Sequence, residues 1–344
     1  MDVALKIWRY DPGTGEKTLA RYEVEAPEWA CLLDVLDIVK DTVDGTLAYR
    51  KSCRMMICGS CGMRMDGRAV LACKERMKPI VDRGHVPVIS AMGNMPVLKD
   101  LVVDMQPFWS KIRRMKPWVD TGYEEIPERE FRASPEEIAP ITKEALCIMC
   151  GCCVSECNSM ESDPEFFGPA ALAKGFRFVG DPRDRAEVSR LEDYNDEHGI
   201  WDCTRCYFCN ERCPKGVDPR DAIAKLGAES IRLGIDRDMG AKHAKWFVHS
   251  ARTTGWLRET ELVPKTQGIV QALKETRFAL NLFRHGKVPL PFPPHVADRV
   301  QEARALRDVV RSDGRDGAAG IVQMERALGR IEPEHGQGGE ELQP

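Results

Sequence analysis

The stretch Trp201–Pro219, "WDCTRCYFCNERCPKGVDP", packs Cys203, Cys206, Cys209 and Cys213 closely together and places Pro214 directly behind the last. The spacing is C-x2-C-x2-C-x3-C-P, the bacterial pattern for cysteines that hold iron–sulfur clusters. In two-cluster proteins of that pattern, the fourth thiolate serves the neighbouring cluster instead of its own. The stretch therefore predicts a partner run, and one lies upstream. "CIMCGCCVSEC" carries Cys147, Cys150, Cys153 and Cys157 at the same spacing. The two runs predict an interlocked pair, with Cys213 completing the set of Cys147, Cys150 and Cys153, and Cys157 completing the other. A zinc ribbon would account for the C-x2-C pairs but not for the x3-C-P ending.

A third group lies nearer the N-terminus. Cys53, Cys58 and Cys61, followed at a distance by Cys73, have the C-x4-C-x2-C…C spacing of plant-type [2Fe–2S] sites. Such a site needs a tight loop with backbone N–H groups close to sulfur, and Gly59 and Gly62 suit that need. Zinc sites favour paired C-x2-C knuckles, so the iron–sulfur reading is preferred. These three groups account for all but two of the 14 cysteines. Cys152 lies inside a cysteine run but off the ligand spacing, which suits a buried small residue or a neighbour of a ligand sulfur. Cys31 opens a predicted helix, where a thiol pKa can fall, although a core role is preferred.

The remaining composition narrows the function. With 344 residues, 43% hydrophobic and 30% charged, the chain has room for two or three globular domains. A formal charge of −4 gives no basic footprint for nucleic acid. The opening "MDVALKIWRYDPGTG" has no apolar signal core, and no run approaches the ~18 apolar residues of a membrane span. The expectation is a chain that neither spans a membrane nor exports itself, so a disulfide framework is disfavoured against metal binding. There is no dinucleotide fingerprint, no phosphate loop and no HExxH motif. His243 and His249 in "KHAKWFVHS" are read as structural residues. Substrate chemistry is thus expected on another subunit, with three clusters in series acting here as a wire for single electrons.

The order of elements predicts an α+β fold. "VALKIWRY" and "TLARYEVE" read as strands joined by the turn "DPGTGEK". "CLLDVLDIVKDTVDG" has helical spacing and ends at a glycine. Short strands follow around "GMRMDGRAVLAC" and "HVPVISA". The stretch "DLVVDMQPFWSKIRRMKPWV" leads out of this unit, and its Lys111, Arg113, Arg114 and Lys116 are read as a solvated helix face in preference to a docking patch. Ser134 and Glu137 form a capping-box pattern with Pro135 at the first helical position. Asp218 and Pro219 start another helix. Residues 236–311 read as helices broken by "VPLPFPPHV", and 312–344 as a loose Gly/Glu-rich tail.

Together these features resemble the iron–sulfur subunit of the succinate dehydrogenase/fumarate reductase family from Val3 to about Ala228. The resemblance is carried, in order, by "IWRYDPGTGEK", "SCRMMICGSCGMRMDG", "LACK", "MPVLKDLVVDMQPFWSKIRRMKPW", "ALCIMCGCCVSEC" and "CPKGVDPRDAI". It implies a plant-type ferredoxin (β-grasp) domain over 1–105, a connecting segment over 106–133 and a helical bacterial-type two-cluster ferredoxin domain over 134–235. A helical C-terminal extension and the tail would follow. By the same resemblance, Cys53, Cys58, Cys61 and Cys73 would hold [2Fe–2S], and Cys147, Cys150, Cys153 and Cys213 would hold [4Fe–4S]. Cys157, Cys203 and Cys209 would hold the third cluster, which in the family is normally [3Fe–4S].

The resemblance also implies a non-catalytic electron-transfer subunit between an FAD-containing flavoprotein and a membrane or cysteine-rich quinone-reactive subunit. Its place would be peripheral, on the cytoplasmic side of the cell membrane, held there by those partners. The chain departs from the family at four places. Met55 and Met56 stand where relatives carry an acidic residue and a glycine, which bears on loop shape and potential but not on ligands. "NSMES" follows Cys157 in place of a proline and the tryptophans of the quinone pocket, and Thr204 replaces a histidine. Cys206 stands where relatives carry an apolar residue, and its thiolate favours [4Fe–4S] over [3Fe–4S] in the third cluster. "KHAKWFVHSARTTGWLRETELVPKTQG" resembles heterodisulfide reductase iron–sulfur subunits, so a thiol-linked fumarate reductase or heterodisulfide-reductase-like complex is the alternative. A zinc-stabilised scaffold is the non-redox reading.

Overall fold

A computed structural model describes residues 1–122, 127–254 and 257–287, and its contacts divide the chain into two units, Met1–Ile235 and Asp236–Pro344. The "VPLPFPPHV" break and the tail expected over 312–344 lie outside the described residues.

The first unit begins with the predicted hairpin, β1 (Asp2–Tyr10) antiparallel to β2 (Lys17–Glu25). Its turn closes because the Asp11 carboxylate accepts the Gly13 N–H at 2.8 Å and the Asp11 carbonyl accepts the Gly15 N–H at 2.8 Å. Val3, Leu5 and Ile7 alternate along β1 and are buried, the period-2 pattern of a strand with one face in a core. Strands β3 (Gly62–Met65), β4 (Arg68–Leu71) and β5 (Val88–Ser90) complete a mixed sheet of order β2-β1-β5-β3-β4, with β5 parallel to β1. Helix α1 (Leu32–Thr42) buries Leu32, Leu33, Val35, Leu36 and Val39 in the same core.

Cys31 is the N-cap of α1, its amide donating to Asp34 at 2.9 Å, and burial raises its thiol pKa, so it is no reactive thiolate. The helix stops at Thr42 instead of running to Gly45. The Val43 and Asp44 amides both turn back to the Val39 carbonyl and close the end early.

A second core is helical. The helices Pro169–Val179 and Pro219–Arg232 pack on each other, with Glu187–Tyr194 and Gln106–Arg114 against the first. Phe108 and Ile112 of the connecting stretch are buried there. Three of its four basic residues also bond within the chain, and Arg113 is exposed as the solvated-face reading expects. Lys111 donates to the Phe166 carbonyl at 2.6 Å, Arg114 pairs with Asp196 at 2.9 Å, and Lys116 pairs with Asp193 at 2.7 Å.

The Ser134–Glu137 capping box forms, but over a single turn, Pro135–Ile138. Asp218 does precede the Pro219 helix, yet its carboxylate pairs with Lys143 at 2.7 Å instead of capping. In the second unit, four helices run from Met239 to Arg284 among the described residues. His243 and His249 share the Met239–Thr254 helix, with the His249 ring 5.0 Å from that of Trp246. No helix among the described residues is long and apolar enough to cross a membrane.

Candidate metal centres

The first cysteine set is built by a loop and a hairpin. Cys61 immediately precedes β3 and Cys73 follows β4, and the pairing of Gly62 with Leu71 brings the two cysteines together at one end of the hairpin. Cys53 and Cys58 sit on the preceding loop, where Arg54 (φ 59°), Met56 (φ 59°) and Gly59 (φ 71°) take left-handed conformations. This winding turns successive amides inward. Met55, Ile57 and Cys58 all donate to the Cys53 sulfur, at 3.4, 3.3 and 3.2 Å. Met56 thus adopts a left-handed backbone that glycine takes most readily, at a cost of about 1 kcal/mol. Helix α1 grips the loop from below. Asp37 accepts from Tyr49 and Arg54 and from Lys51 at 2.7 Å, and Asp34 pairs with Arg54 at 3.1 Å. Against the cost of burial, hydrogen bonds from Lys51 and Tyr49 hold the Asp37 carboxyl below its ordinary range.

Eight of the other ten cysteines gather into two cavities. Cys147, Cys150, Cys153 and Cys213 line one, and Cys157, Cys203, Cys206 and Cys209 line the other. Each cavity therefore takes one cysteine from the opposite run. The two runs share one backbone path. The second residue after the first cysteine is left-handed in both (Met149, φ 55°; Arg205, φ 58°), and so is the fourth (Gly151, φ 80°; Tyr207, φ 66°). A four-residue helical turn follows in each, Cys152–Ser155 and Phe208–Glu211. Cys206 occupies in its run the place of Cys150 in the other.

The chemistry of these donors fits metal clusters. Cys58, hydrogen-bonded to the Ser60 hydroxyl at 3.0 Å, has its pKa lowered to about 6. Burial instead pushes the Cys61 and Cys209 thiols up to about 12 and raises Cys153. Sulfurs so buried act as thiolates only where a cation takes up their charge, as bound metal does.

The first set is pressed against the second. A Cβ on Gly59 would lie 2.8 Å from the Cys150 Cβ, so only glycine permits this approach. Arg64 pairs with Glu156 at 2.7 Å, and the Asn94 side chain donates to the Val154 and Cys157 carbonyls at 2.8 and 2.9 Å. These clamps carry no spacing signal of their own. Cys152 is fully buried in the core of the N-terminal sheet and hydrogen-bonds Cys150, so it is both a core residue and a sulfur neighbour.

Residues 4–110 match the 2Fe-2S iron-sulfur cluster binding domain, and residues 145–217 match the 4Fe-4S dicluster domain. The 8-methylmenaquinol:fumarate reductase iron-sulfur subunit of Wolinella succinogenes is 33% identical over 276 residues, covering 79% of this chain and 85% of its own length. The fumarate reductase iron-sulfur subunit of Mycobacterium tuberculosis is 40% identical over 227 residues, 65% of this chain and 90% of its own. The chain belongs to the succinate dehydrogenase/fumarate reductase iron–sulfur subunit family. It is the electron-transfer subunit of such an oxidoreductase complex and carries a [2Fe–2S] and a [4Fe–4S] cluster. A chain of the Mycobacterium smegmatis Sdh1 complex in the apo form has a similar fold. Its TM-score is 0.63 at 26% identity, over 69% of this chain and 98% of that one.

Proposed function

We propose that this family member is a three-station wire. Cys53, Cys58, Cys61 and Cys73 hold [2Fe–2S], Cys147, Cys150, Cys153 and Cys213 hold [4Fe–4S], and Cys157, Cys203, Cys206 and Cys209 hold a third cluster of the [4Fe–4S] type. The observation that carries this reading is the gathering of the cysteines into three four-sulfur sets, with Gly59 bringing the first set onto the second. Bound clusters supply one-electron redox sites. The protein keeps the first two sets in contact and interlocks the second with the third by exchanging Cys157 and Cys213.

One end of the wire serves a flavoprotein that interconverts succinate and fumarate, and the other serves a quinone-reactive subunit held at the membrane. At the second end, the residues that replace the tryptophans fold inward. Ser159 accepts the Thr204 N–H at 3.1 Å, and Met160 is buried. The acceptor contact is therefore built differently from the usual family pocket. The match to the W. succinogenes subunit covers more of the chain than the Met1–Ile235 unit can supply, which favours a partner that also engages the C-terminal unit.

Low-temperature EPR of the air-oxidised protein tests the third set. Four thiolates give a diamagnetic oxidised cluster and no [3Fe–4S] signal. A strong [3Fe–4S] signal at full iron loading would show Cys206 to be a bystander.

A further inference from the structure

The second unit leaves apolar side chains uncovered. The helix Ile269–Lys274 exposes Ile269, Val270 and Leu273 at 72%, 72% and 69%, and the helix Thr276–Arg284 exposes Phe278, Leu280 and Phe283 at 61%, 54% and 48%. Single exposed apolar residues are ordinary, but a run of them this dense marks a contact surface. The pattern on Thr276–Arg284 shows what kind. At 3.6 residues per turn, Phe278, Ala279, Leu280, Leu282 and Phe283 cover more than half of the circumference, and Arg277, Asn281 and Arg284 form the remaining strip. Thr276 interrupts the apolar arc and donates its hydroxyl to the Leu273 carbonyl at 2.8 Å. A groove on a protein takes a narrow stripe of anchors, whereas a lipid interface takes a broad apolar face with cations beside it. The charge agrees. From 268 to 287, Lys274, Arg277, Arg284 and Lys287 stand against Glu275 alone, in a chain of formal charge −4. None of these four cations has an ion-pair partner among the described residues, unlike Arg114 and Lys116 of the first unit, which pair with Asp196 and Asp193.

We propose that the helices Ile269–Lys274 and Thr276–Arg284 form a docking face for an anionic lipid bilayer. The proposal is independent of the cluster-ligand reading above. Phe278, Leu280 and Phe283 enter the boundary between headgroups and acyl chains, and Arg277 and Arg284 reach lipid phosphates along the flank of the helix. Such a helix lies in the plane of the interface with its own backbone hydrogen bonds intact, so it needs no membrane-spanning length. The chain thereby binds the membrane surface directly, and not only through partner subunits.

The test is flotation of the purified full chain, carrying its clusters, with two kinds of vesicle. One is phosphatidylcholine alone, and the other is phosphatidylcholine and phosphatidylglycerol in equal parts. The wild type is expected to float with the anionic vesicles only, and less as salt is raised. The variant R277Q/R284Q should bind them roughly 10- to 30-fold more weakly, the effect of losing two surface cations. R277K/R284K should bind like the wild type, and F278S/L280S/F283S should not float. All five side chains are exposed, so cluster absorbance should be unchanged in every variant. If a variant does lose its clusters, the lipid and salt dependence of the wild type decides. A wild type that floats with neither vesicle, or equally with both, overturns the proposal. So does undiminished flotation of F278S/L280S/F283S, and loss of co-purifying partner subunits in that same variant would assign the face to a protein instead.

Discussion

The runs Cys147–Cys157 and Cys203–Cys213 have one spacing and one backbone winding but opposite surroundings. Cys150 lies beneath Gly59, between the two cores, and the residue after it is a buried glycine. Cys206 is exposed, and the residues after it, Tyr207 and Phe208, are 45% and 41% exposed. The spacing determines where sulfurs gather, whereas the neighbours determine what each gathering can exchange electrons with. An enclosed station suits relay between two others. An exposed station edged by aromatic residues suits delivery to a partner, since large apolar groups left on a surface mark contact sites.

The largest expected effects come from removing the equivalent cysteine in each run. Cys206→Ala leaves Cys157, Cys203 and Cys209 and is expected to yield folded protein with a new [3Fe–4S] signal in the oxidised state. Cys150→Ala removes an interior sulfur on which the sheet's loop rests. It is expected to lose the middle cluster and most of the soluble holoprotein. If Cys150→Ala gave normal yield and a three-iron middle cluster, the contrast in surroundings would have no consequence for assembly.

Exposure also predicts an order of loss. During incubation with a chelator and mild oxidant, the signals of the third cluster should decay well before those of the middle cluster, followed by EPR at timed intervals. Simultaneous decay would mean that the two stations open together as one unit.

Gly59→Ala probes the enclosed side more gently. The left-handed backbone and the 2.8 Å approach to Cys150 together are expected to cost about 1–3 kcal/mol. Denaturant titration followed by cluster absorbance measures that loss. The magnetic coupling between the first and middle clusters should weaken in the same variant.

Much of this architecture is legible in residue spacing. The hairpin, the α1 periodicity and the grouping of twelve cysteines all arise from short-range patterns, and four cysteines line each of two cavities. What escapes a sequence reading depends on contacts between distant segments. Arg64 with Glu156, Asn94 with two carbonyls of a cysteine run, and Gly59 against Cys150 each join residues 60 or more positions apart. Local rules also lose where a distant partner competes. Asp218 has a capping residue's identity, but Lys143 takes its carboxylate. Met56 looks like a break in the loop pattern, yet the Asp34 and Asp37 grip on Arg54 and the amides around Cys53 hold it in a glycine's conformation. That grip had a visible trace, two acidic residues one helical turn apart on α1.

The smallest expected effects compare the two residues that follow the matched cysteines. Gly151→Ala places a side chain on a left-handed backbone where its Cβ would meet only Met95 and Met92 at ordinary distances, 3.4 and 3.5 Å. The cost is the backbone term alone, about 1 kcal/mol. Tyr207 already bears that term and offsets part of it by stacking under Arg220, whose guanidinium carbon is 4.4 Å from the ring centroid. Tyr207→Gly removes about 1 kcal/mol of backbone strain and gives up about 0.5–1 kcal/mol of cation–π attraction. The net change in the denaturation midpoint should be near zero. A clear destabilisation would instead mean that Tyr207 contributes packing to the third sulfur set beyond its stack on Arg220. The exposed station would then be held as firmly by its neighbours as the enclosed one.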